Sequence, residues 1–549
     1  MKPIKVAVLW HQHQPYYKYK GEFLLPWVRL HGVKDYYDLP ALLNEFPQVK
    51  QTFNLVPSLM QQIEEYITNS TSDTVQELTR LQAKYLTNEQ KSQILNQFFV
   101  LNHDNLVKPY ERYNQLFINA FDQEQAIANW TTQDWLDLQV WYNLAWLGQL
   151  SRRAPFANRL FCKHRNFTEA EKIELLEFHK QILARIIPEM SRLQRLGQIE
   201  ICVSPMYHPI LPLLCDSNVS RETLPNGTLL NPQYKWTEDA INQIDMGIEM
   251  YQQYFAHSPK GMWPSEGSVS NDVLNIMATK GIQWVATDES VLANSLGDDY
   301  KATYKYFPNE VQTKDGAITV FFRDHSLSDK IGFLYSNWNS YDAACNFRED
   351  LFAIRNQIID LHGEDALDSA VIPIILDGEN CWEFYHDNGI HFFRDFFRML
   401  SSNEEIETIL FSEALNLPIP NFLPAISNIR AGSWINGNFA IWIGDEEDVT
   451  AWNYLSCVRK IADERRSEFS VQQYNEIIKE IYIAEGSDWF WWYGPEFDAP
   501  NRSDFDKMFR WHISNIYAMM GMTPPEELSN PIMKERNTYT GYSTMAKND

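Results

Sequence analysis

Short segments rich in β-branched or apolar residues recur seven times along the chain, and a group of polar residues follows each of them. The segments are residues 4–9, 51–53, 199–203, 261–263, 283–286, 318–322 and 371–376. Apolar runs without alternation are typical of strands buried on both faces, as in a parallel sheet covered by helices. Helix-like stretches such as 238–254 and 350–361 separate several of the segments. This order predicts an α/β protein built on a parallel barrel, whose active site lies at the carboxyl ends of the strands.

Two regions interrupt the alternation of strand and helix. Residues 60 to about 195 are rich in Leu, Gln, Glu and Lys with helical spacing, which predicts a helical insertion too long for one crossover. After residue 400 three further helical segments are expected, at 449–464, 471–485 and 505–519. We therefore predict a catalytic barrel domain over 1–400 that includes the insertion, and a mostly helical C-terminal domain over 401–549.

The composition excludes several kinds of partner. The chain has 549 residues, with 47 basic and 72 acidic side chains and a formal net charge of −25. Nucleic acids and anionic membranes attract basic surfaces, so neither is expected as the main partner. No apolar run approaches the ~18 residues of a membrane span, and the N-terminus lacks the apolar core of a signal peptide. The six cysteines include no C-x-x-C pair, which indicates reduced thiols. These features predict a cytoplasmic enzyme with a neutral or cationic substrate.

Two acidic residues stand at predicted strand ends that also carry tryptophans. Glu266 follows Trp263, and Asp377 ends the most apolar segment, shortly before Trp382. Burial disfavours a charged carboxylate, so the position of Asp377 favours the protonated form that a general acid needs. Cleavage of a glycosidic bond uses two carboxyl groups, one that protonates the leaving oxygen and one that attacks the anomeric carbon or activates water. We predict this pair as catalytic; the alternative is that each caps a helix or forms an ion pair at the barrel rim.

His11 and His13 follow the first predicted strand, and alternation places both side chains on one side. Three roles fit them: hydrogen bonds to sugar hydroxyls, metal ligation, or a structural role. A metal site would need a third ligand, which His208, Asp324 or His325 could supply from other strand ends. Sugar binding is favoured, and neither a metal nor a cofactor is predicted.

Two further groups are candidates for the site. Arg323 precedes Asp324 at a strand end, where an arginine could keep a nucleophilic carboxylate ionised or could join an internal ion pair. The aromatic run that begins at Trp489 follows the acidic Asp488. Because tryptophan is rarely fully buried, partial exposure as a stacking wall for sugar rings is weighed equally with a position in the core.

Five segments, in order along the chain, are similar to the five sequence regions of glycoside hydrolase family 57. They are 11–15 (HQHQP), 197–209 (GQIEICVSPMYHP), 261–266 (GMWPSE), 376–380 (LDGEN) and 484–493 (AEGSDWFWWY). The third and fourth resemble most the α-amylase and amylopullulanase branch of the family. The resemblance implies an incomplete barrel of seven strands, a helical C-terminal domain that completes the cleft, and retaining cleavage of α-glucans.

By position, the resemblance implies Glu266 as the nucleophile and Asp377 as the general acid/base. It also implies a set of residues in or near the substrate cleft: His11, His13, Trp263, Arg323, Trp434, Asp488 and Trp489. With three residues from the strand-end groups, His208, Asp324 and Trp382, these form the predicted substrate-binding set.

The sequence departs from the family pattern at two places beside the proposed site. Gly267 and Ser268 follow the nucleophile where relatives carry larger residues, and Cys381 stands where proline is common. The preference between α-1,4 and α-1,6 bonds therefore stays open. Three alternatives to hydrolysis also stay open: 4-α-glucanotransferase or branching transfer on α-glucans, a metal-dependent deacetylase or α-mannosidase on a related barrel, and a glycan-binding protein without activity.

Overall fold

The fold is built around one large β-sheet. The computed structural model describes residues 2–379, 382–534 and 546–547. Asn380 and Cys381 lie outside the described residues. Within the described ranges the sheet has nine strands, which we number in chain order: β1 (Ile4–Gln12), β2 (Gln51–Leu55), β3 (Ile199–Val203), β4 (Gly261–Met262), β5 (Trp284–Asp288), β6 (Asn309–Thr313), β7 (Gly316–Arg323), β8 (Val371–Asp377) and β9 (Ile406–Thr408).

Seven of these strands run parallel in the order β8-β1-β2-β3-β4-β5-β7. They are the seven strands that the sequence predicts, so the prediction of a parallel α/β barrel is confirmed. β6 pairs antiparallel with β7, and β9 runs parallel to the first residues of β1. Between β7 and β8 the described residues form no ladder; the backbone N–H of Asp324 donates to the carbonyl of Pro373 at 2.9 Å instead. The barrel is therefore incomplete on this side, as expected.

Four neighbouring strands, β8, β1, β2 and β3, are buried along almost their whole length. Helices cover their outer side, and large side chains fill the inner side. Trp10, for example, is fully buried and its indole N–H donates to Gln51 Oε1 at 2.8 Å. Such double coverage explains the continuous apolar runs, because neither face of these strands meets water.

The insertion between β2 and β3 is helical, as the sequence predicts. Its longest helix begins after Thr168, whose hydroxyl accepts from the backbone N–H of Glu171 while the Glu171 carboxylate accepts from Thr168 N–H, a capping box. The α-helices from the first strand through the insertion are Trp27–His31, Tyr37–Leu42, Pro57–Ile67, Thr74–Arg80, Asn88–Gln97, His103–Leu106, Glu111–Asn119, Gln123–Asn129, Thr132–Ala145, Pro155–Lys163 and Glu169–Arg195.

Further α-helices connect the later strands of the barrel and cover its outer side. They are Leu211–Cys215, Thr237–Phe255, Asn271–Thr279, Glu289–Leu296, His325–Asp329, Ser340–His362, Ile390–Ser402 and Phe411–Ala414. Two pairs of short strands lie outside the main sheet: Lys18–Tyr19 with Glu22–Phe23, and Phe497–Asp498 with Ala546–Lys547.

The C-terminal part of the chain is mostly helical and packs closely against the barrel. Its α-helices are Ala440–Ile443, Glu446–Glu464, Val471–Ala484, Ser487–Trp491 and Arg502–Met519. A buried ion pair joins the two parts: the Arg459 guanidinium donates to both carboxylate oxygens of Asp239, at 2.7 and 3.0 Å. Such a bidentate pair fixes orientation as well as distance. A domain boundary at residue 400 stays a prediction.

Two further features of the structure concern membrane-spanning helices and the cysteines. No helix among the described residues has the length and apolar character that a membrane span requires. The described cysteines are all free: Cys202 and Cys215 are buried, Cys345 is half-buried, and Cys162 and Cys457 are exposed.

Candidate active site

Glu266 stands just beyond the carboxyl end of β4, in a backbone conformation that few residues adopt. Its φ of 57° and ψ of 25° lie in the left-handed region, and Gly267 follows with a φ of 60°. A Cβ at position 267 would lie 3.0 Å from the ring of Trp263, so a glycine fits there best. Strain of this kind in a non-glycine residue persists only where the surroundings fix it, and it is concentrated at functional sites.

The Glu266 carboxyl is held by a tryptophan from the C-terminal part of the chain. The indole N–H of Trp434 donates to Glu266 Oε2 at 2.7 Å, and the Trp434 backbone N–H donates to the Glu266 carbonyl at 2.9 Å. Burial raises the pKa of Glu266 from 4.5 to about 8, and the nearby carboxylates of Asp488 and Asp377 act in the same direction. The hydrogen bonds from Trp434 and Ser487 lower this pKa.

Asp377 is the last residue of β8 and lies beside His11 in the neighbouring strand β1. The Gly378 backbone N–H donates to the His11 carbonyl at 2.7 Å, which fixes the chain directly after Asp377. The side chain of Asp377 is half-buried and lines the same cleft as Glu266. Its charge raises the pKa of Glu266 and that of Glu379, so the carboxyl groups interact electrostatically.

Three histidines stack at the floor of the cleft. The rings of His13 and His208 lie 3.8 Å apart, and the His11 ring lies 5.2 Å from that of His208. His11 Nδ1 is 2.6 Å from Asn54 Oδ1. Burial lowers the pKa of His11 to about 3 and the pKa of His208 well below its usual value, and the neighbouring histidines act in the same direction. Both are therefore neutral and can offer nitrogen atoms as hydrogen-bond donors or acceptors.

A loop that follows the helix Val471–Ala484 completes the site. Asp488 Oδ1 lies 2.8 Å from His13 Nε2, and Ser487 Oγ lies 3.0 Å from His208 Nδ1. The loop is anchored by Glu485, which is fully buried and accepts hydrogen bonds from Tyr234 at 2.6 Å and Gln243 at 2.7 Å. The motif around Asp488 therefore joins an anchoring carboxyl to one that faces the cleft.

These groups surround one cleft with a volume of about 160 Å³. Of the residues predicted from the sequence, six line it: His11, His13, Glu266, Asp377, Trp434 and Asp488. Carboxyl groups, imidazoles and an indole converge there from the first and last parallel strands, the β4 end and the C-terminal region. Such a combination can exchange protons, stabilise positive charge and hydrogen-bond hydroxyl groups.

Four other predicted contact residues are buried and do not line the cleft, so their contact with substrate stays a prediction. Trp263, Trp382 and His208 are at most 1% exposed, and Trp489 is 2% exposed. The Trp382 indole N–H donates to the Gly378 carbonyl at 2.9 Å, and that of Trp489 donates to the Ile483 carbonyl at 2.7 Å. These side chains are packed in the interior, behind the residues that line the cleft.

Arg323 and Asp324 also do not line the cleft, and their contact with substrate likewise stays a prediction. Arg323 donates to the Ile375 carbonyl at 2.7 Å and to Asp329 at 2.6 Å, and it pairs with Asp288 at 3.4 Å. Asp324 caps the helix His325–Asp329, and its Oδ2 accepts from the Tyr306 hydroxyl at 2.7 Å. The alternative of an internal ion-pair network at the rim therefore fits both residues. Arg323 does lie over the Trp434 ring, 5.6 Å from its centroid.

Several cleft residues were missed by the reasoning from sequence. Glu379 belongs to the motif around Asp377, yet its own role was not singled out. It is 3% exposed, its Oε1 accepts from the His13 backbone N–H at 3.3 Å, and burial raises its pKa well above the usual value. The others form an aromatic and polar wall: Gln14, Pro15, Tyr17, Trp27, His31, Trp491, Trp492, Asn501 and Phe505.

One group in the cleft has the composition of a metal site. Ligand atoms of His13, His208 and Asp488 lie within 4.8 Å of one another. The same atoms form the internal contact between His13 and Asp488, and the two imidazole rings are stacked face to face. Imidazole nitrogens and a carboxylate can also form hydrogen bonds with a ligand, so the group equally suits that role.

Comparison with known proteins gives a consistent family. Residues 7–425 match the family model "Glycosyl hydrolase family 57". The 4-α-glucanotransferase of Thermococcus litoralis is 23% identical over 265 residues, which cover 47% of this chain and 34% of that protein. The α-amylase of Pyrococcus abyssi is 23% identical over 266 residues, with the same two shares. The aligned part thus spans about a third of the length of these curated relatives.

Solved structures share the fold over nearly the whole chain. The GH57-type branching enzyme of Pyrococcus horikoshii superposes with a TM-score of 0.57 at 14% identity, covering 99% of both chains. The α-amylase AmyC of Thermotoga maritima superposes with a TM-score of 0.57 at 12% identity, covering 95% of this chain and 93% of that one. At these identities the likeness concerns the architecture alone.

Proposed function

Because the chain belongs to glycosyl hydrolase family 57, we propose that it cleaves α-glucosidic bonds in starch, glycogen, pullulan or maltooligosaccharides. The proposal rests on the observation that Glu266 and Asp377 line the same cleft. The two residues are 111 positions apart in sequence, and each follows a different parallel strand. A pair of carboxyl groups in different surroundings is what glycoside cleavage requires.

The proposed reaction is a double displacement with retention of configuration. A Glu266 carboxylate oxygen attacks the anomeric carbon while the Asp377 proton moves to the leaving glycosidic oxygen, whose bond to that carbon breaks. Asp377 then removes a proton from water, and the resulting hydroxide displaces the Glu266 carboxylate. General acid–base assistance of this kind contributes about 10²–10⁴-fold to the rate. Retention requires the two carboxyl groups to stand about 5–5.5 Å apart.

The raised pKa of Glu266 adds a step to this scheme. In the free cleft at neutral pH, Glu266 is mostly protonated, because burial holds its pKa at about 8. Attack needs the carboxylate, so the proton of Glu266 must move before the reaction, and its transfer to the Asp377 carboxylate gives the ionised nucleophile and the protonated acid from which the scheme starts. Positive charge that develops on the sugar ring in the transition state favours this ionisation. The ionised Glu266 that the scheme needs is therefore reached by a proton shift within the carboxyl pair.

Neighbouring groups support the pair. The Trp434 N–H orients the Glu266 carboxyl through its bond to Oε2, and the contact between His13 and Asp488 orders a polar edge beside it. A polar edge next to an aromatic surface suits a sugar ring, which has hydroxyl groups at its rim and C–H bonds on its faces. The aromatic wall with Trp491 and Trp492 supplies such a surface in this cleft.

Transfer to a second glucan in place of water is the other candidate. It is favoured by the match to a 4-α-glucanotransferase, which is as long and as similar as the match to an α-amylase. The chemistry differs only in the second step, where a sugar hydroxyl gives its proton to Asp377 and attacks the glycosyl–enzyme bond. The choice depends on whether the aromatic wall holds an acceptor sugar long enough to exclude water.

Products formed from starch, pullulan and maltotriose test the proposal. Hydrolysis gives only chains shorter than the substrate, and NMR of the first product shows the α-anomer; transfer from maltotriose also gives longer chains. Cleavage of pullulan reports on α-1,6 bonds as well.

E266Q is expected to lose nearly all turnover, whereas the exposed E310Q, the same acid-to-amide change on β6, keeps it. Comparable rates for E266Q and wild type would contradict the proposal.

Removal of metal ions by a chelator distinguishes the proposed reaction from the metal-dependent alternative. The scheme above uses side chains alone, so activity is expected to survive dialysis against EDTA. Loss of activity with EDTA and recovery with zinc would instead favour chemistry at His13, His208 and Asp488, as in a deacetylase-like reaction.

A further inference from the structure

A second group of metal-binding side chains lies on the surface, outside the cleft. Asp387 Oδ2 is 3.0 Å from His386 Nδ1 and 3.2 Å from His391 Nε2. The ligand atoms of all three residues lie within 4.8 Å of one another. Their side chains are 82%, 39% and 61% exposed, in chain order, so an ion from solvent can reach all of them.

The spacing of these atoms matches a tetrahedral zinc centre. Nitrogen and oxygen ligands bind zinc at about 2.0–2.2 Å, which places two ligand atoms of a tetrahedron about 3.3–3.5 Å apart. The two distances to Asp387 Oδ2 are a few tenths of an ångström shorter than this. Small side-chain rotations would therefore bring three ligands around one ion, with a water molecule as the fourth ligand.

The local chain holds the three residues in this arrangement. Asp387 and Asn388 both have left-handed backbone conformations, with φ of 49° and 53°. They turn the chain directly into the helix Ile390–Ser402, and His391 lies in its first turn, four residues after Asp387. This turn brings the Asp387 carboxylate to within 3.2 Å of His391 Nε2. Gln149 Nε2 approaches Asp387 Oδ1 at 3.4 Å, which leaves Oδ2 directed at the two imidazoles.

We propose that His386, Asp387 and His391 form a binding site for a divalent transition metal, with zinc as the best fit. Imidazole nitrogens together with one carboxylate suit zinc, whereas calcium and magnesium require a shell made mostly of oxygen atoms. The site is separate from the catalytic carboxyls, and the proposal does not depend on the proposed function.

Zinc at this position would stabilise the segment that follows Asp377. Trp382 is tied to that segment by its hydrogen bond to Gly378, and Tyr385 donates to the Ile331 carbonyl at 2.6 Å. The ion would add a link from the same loop to the helix Ile390–Ser402. Because a ligand that binds only the folded state favours folding, zinc is expected to raise the thermal unfolding midpoint.

Titration calorimetry with zinc chloride tests this site directly. The protein is first dialysed against EDTA and then freed of chelator. Variants H386A, H391A and the double variant remove ligands, and H257A removes an exposed histidine that belongs to neither metal-ligand group among the described residues. We expect one zinc site in the wild type that is about 100-fold weaker in H391A and unchanged in H257A. Magnesium chloride is expected to give no heat of binding.

The double variant distinguishes the surface site from the histidines in the cleft. If the surface residues bind zinc, the double variant loses one bound ion and the zinc-dependent rise in the unfolding midpoint, while H257A keeps both. If the wild type binds no zinc, the proposal is wrong and the three residues form only an ion-paired turn. Equal numbers of bound ions and equal affinities in the wild type and the double variant would overturn it too.

Discussion

Glu266 is held in a left-handed conformation, and its side chain is 12% exposed. Burial opposes the ionised state that a nucleophile needs, and it raises the pKa of this carboxyl to about 8. The indole N–H of Trp434 is the strongest opposing influence, because it stabilises the carboxylate. The balance between burial and this single hydrogen bond therefore sets the pH range in which Glu266 can react.

Replacing Trp434 by phenylalanine is expected to move the pH profile. Without the indole N–H, the pKa of Glu266 rises further, so the limb of the kcat/KM profile that reports this carboxyl, near pH 8 in the wild type, shifts to higher pH. The profile is measured on a maltooligosaccharide from pH 5 to 10. W338F, the same change at a tryptophan that is 43% exposed, is expected to leave the limb in place. An unshifted or lowered limb in W434F would contradict this account of Glu266.

The same pKa shift affects stability. The carboxyl of Glu266 ionises at about 4.5 in the unfolded chain and at about 8 in the folded one. Between these values the unfolded state releases the proton first, so the wild type loses stability as pH rises from 4.5 to 8. Glutamine does not ionise, and E266Q is expected to gain stability relative to the wild type over this range, on the order of 3 kcal/mol.

Urea unfolding at pH 5 and pH 8 measures this difference, with E310Q as the control. The gap in free energy of unfolding between E266Q and the wild type should widen from pH 5 to pH 8, while the E310Q gap stays constant. A constant gap for E266Q would mean that its carboxyl ionises equally in both states.

At the scale of single residues, sequence reasoning identified the carboxyls better than the aromatics. Glu266 and Asp377 follow apolar strands directly, so their position at the barrel rim was readable. For the aromatic run from Trp489, the cleft and the core were weighed equally, and the structure divides the run: Trp489 packs inward while Trp491 and Trp492 line the cleft. The helix that carries Trp489 has only five residues, Ser487–Trp491, and so short a segment has no periodicity that reveals its inner face.

At the scale of elements, the segment from residue 485 to 488 joins the C-terminal region to the barrel beside the site. Gly486 forms an isolated bridge with Pro209, and the Ser487 backbone N–H donates to the His208 carbonyl at 2.9 Å. A Cβ at Gly486 would lie 2.9 Å from the Tyr207 carbonyl oxygen, which is backbone and cannot rotate away. Only glycine allows the loop to approach this closely.

G486A is therefore expected to displace Asp488 and Ser487, which hydrogen-bonds Glu266, while both carboxyl side chains of the pair are retained. We predict a fall in kcat/KM of at least about 10-fold, as small misplacements of substrate-binding groups typically cause, with the fold retained by circular dichroism. G316A is the matched control, since a Cβ there meets no atom within 4 Å. Equal activity of G486A and G316A would show that the position of Asp488 does not matter.

Element by element, the sequence predicted the buried strands and the long helices but not the elements that depend on tertiary contacts. β6 and β9 were missed, because β6 is partly exposed and β9 has three residues. Within the predicted helical insertion, the helix Thr74–Arg80 ends where Gln139 Nε2 donates to the carbonyls of Leu78 and Leu81. These carbonyls find partners on another helix, which the local sequence does not reveal.

For the molecule as a whole, the cleft depends on segments that are far apart in sequence. Asp377 and His11 belong to neighbouring strands, Glu266 lies across the barrel at the end of β4, and Trp434 and Asp488 come from the C-terminal region. The order of parallel strands could be anticipated from their pattern, and it brings polar strand ends to one rim. The docking of the C-terminal region could not be anticipated, because it depends on tertiary contacts such as the buried ion pair of Arg459 and Asp239.

The central claim is that Glu266 and Asp377 are a catalytic pair with different roles. Maltosyl fluoride in the α configuration separates these roles, because fluoride leaves as an anion without needing a proton. Attack by the Glu266 carboxylate forms the glycosyl–enzyme bond and breaks the carbon–fluorine bond. Release of the sugar from the enzyme still needs the Asp377 side chain as base.

Fluoride release by D377N and E266Q, followed with a fluoride electrode, is the measurement that tests this claim most directly. We predict a rapid release of about one equivalent per enzyme from D377N, followed by slow turnover, and no release above background from E266Q. D298N and E310Q, the same changes at exposed positions, should turn over like the wild type. A burst from E266Q and none from D377N would reverse the roles, and wild-type turnover by both variants would contradict the account.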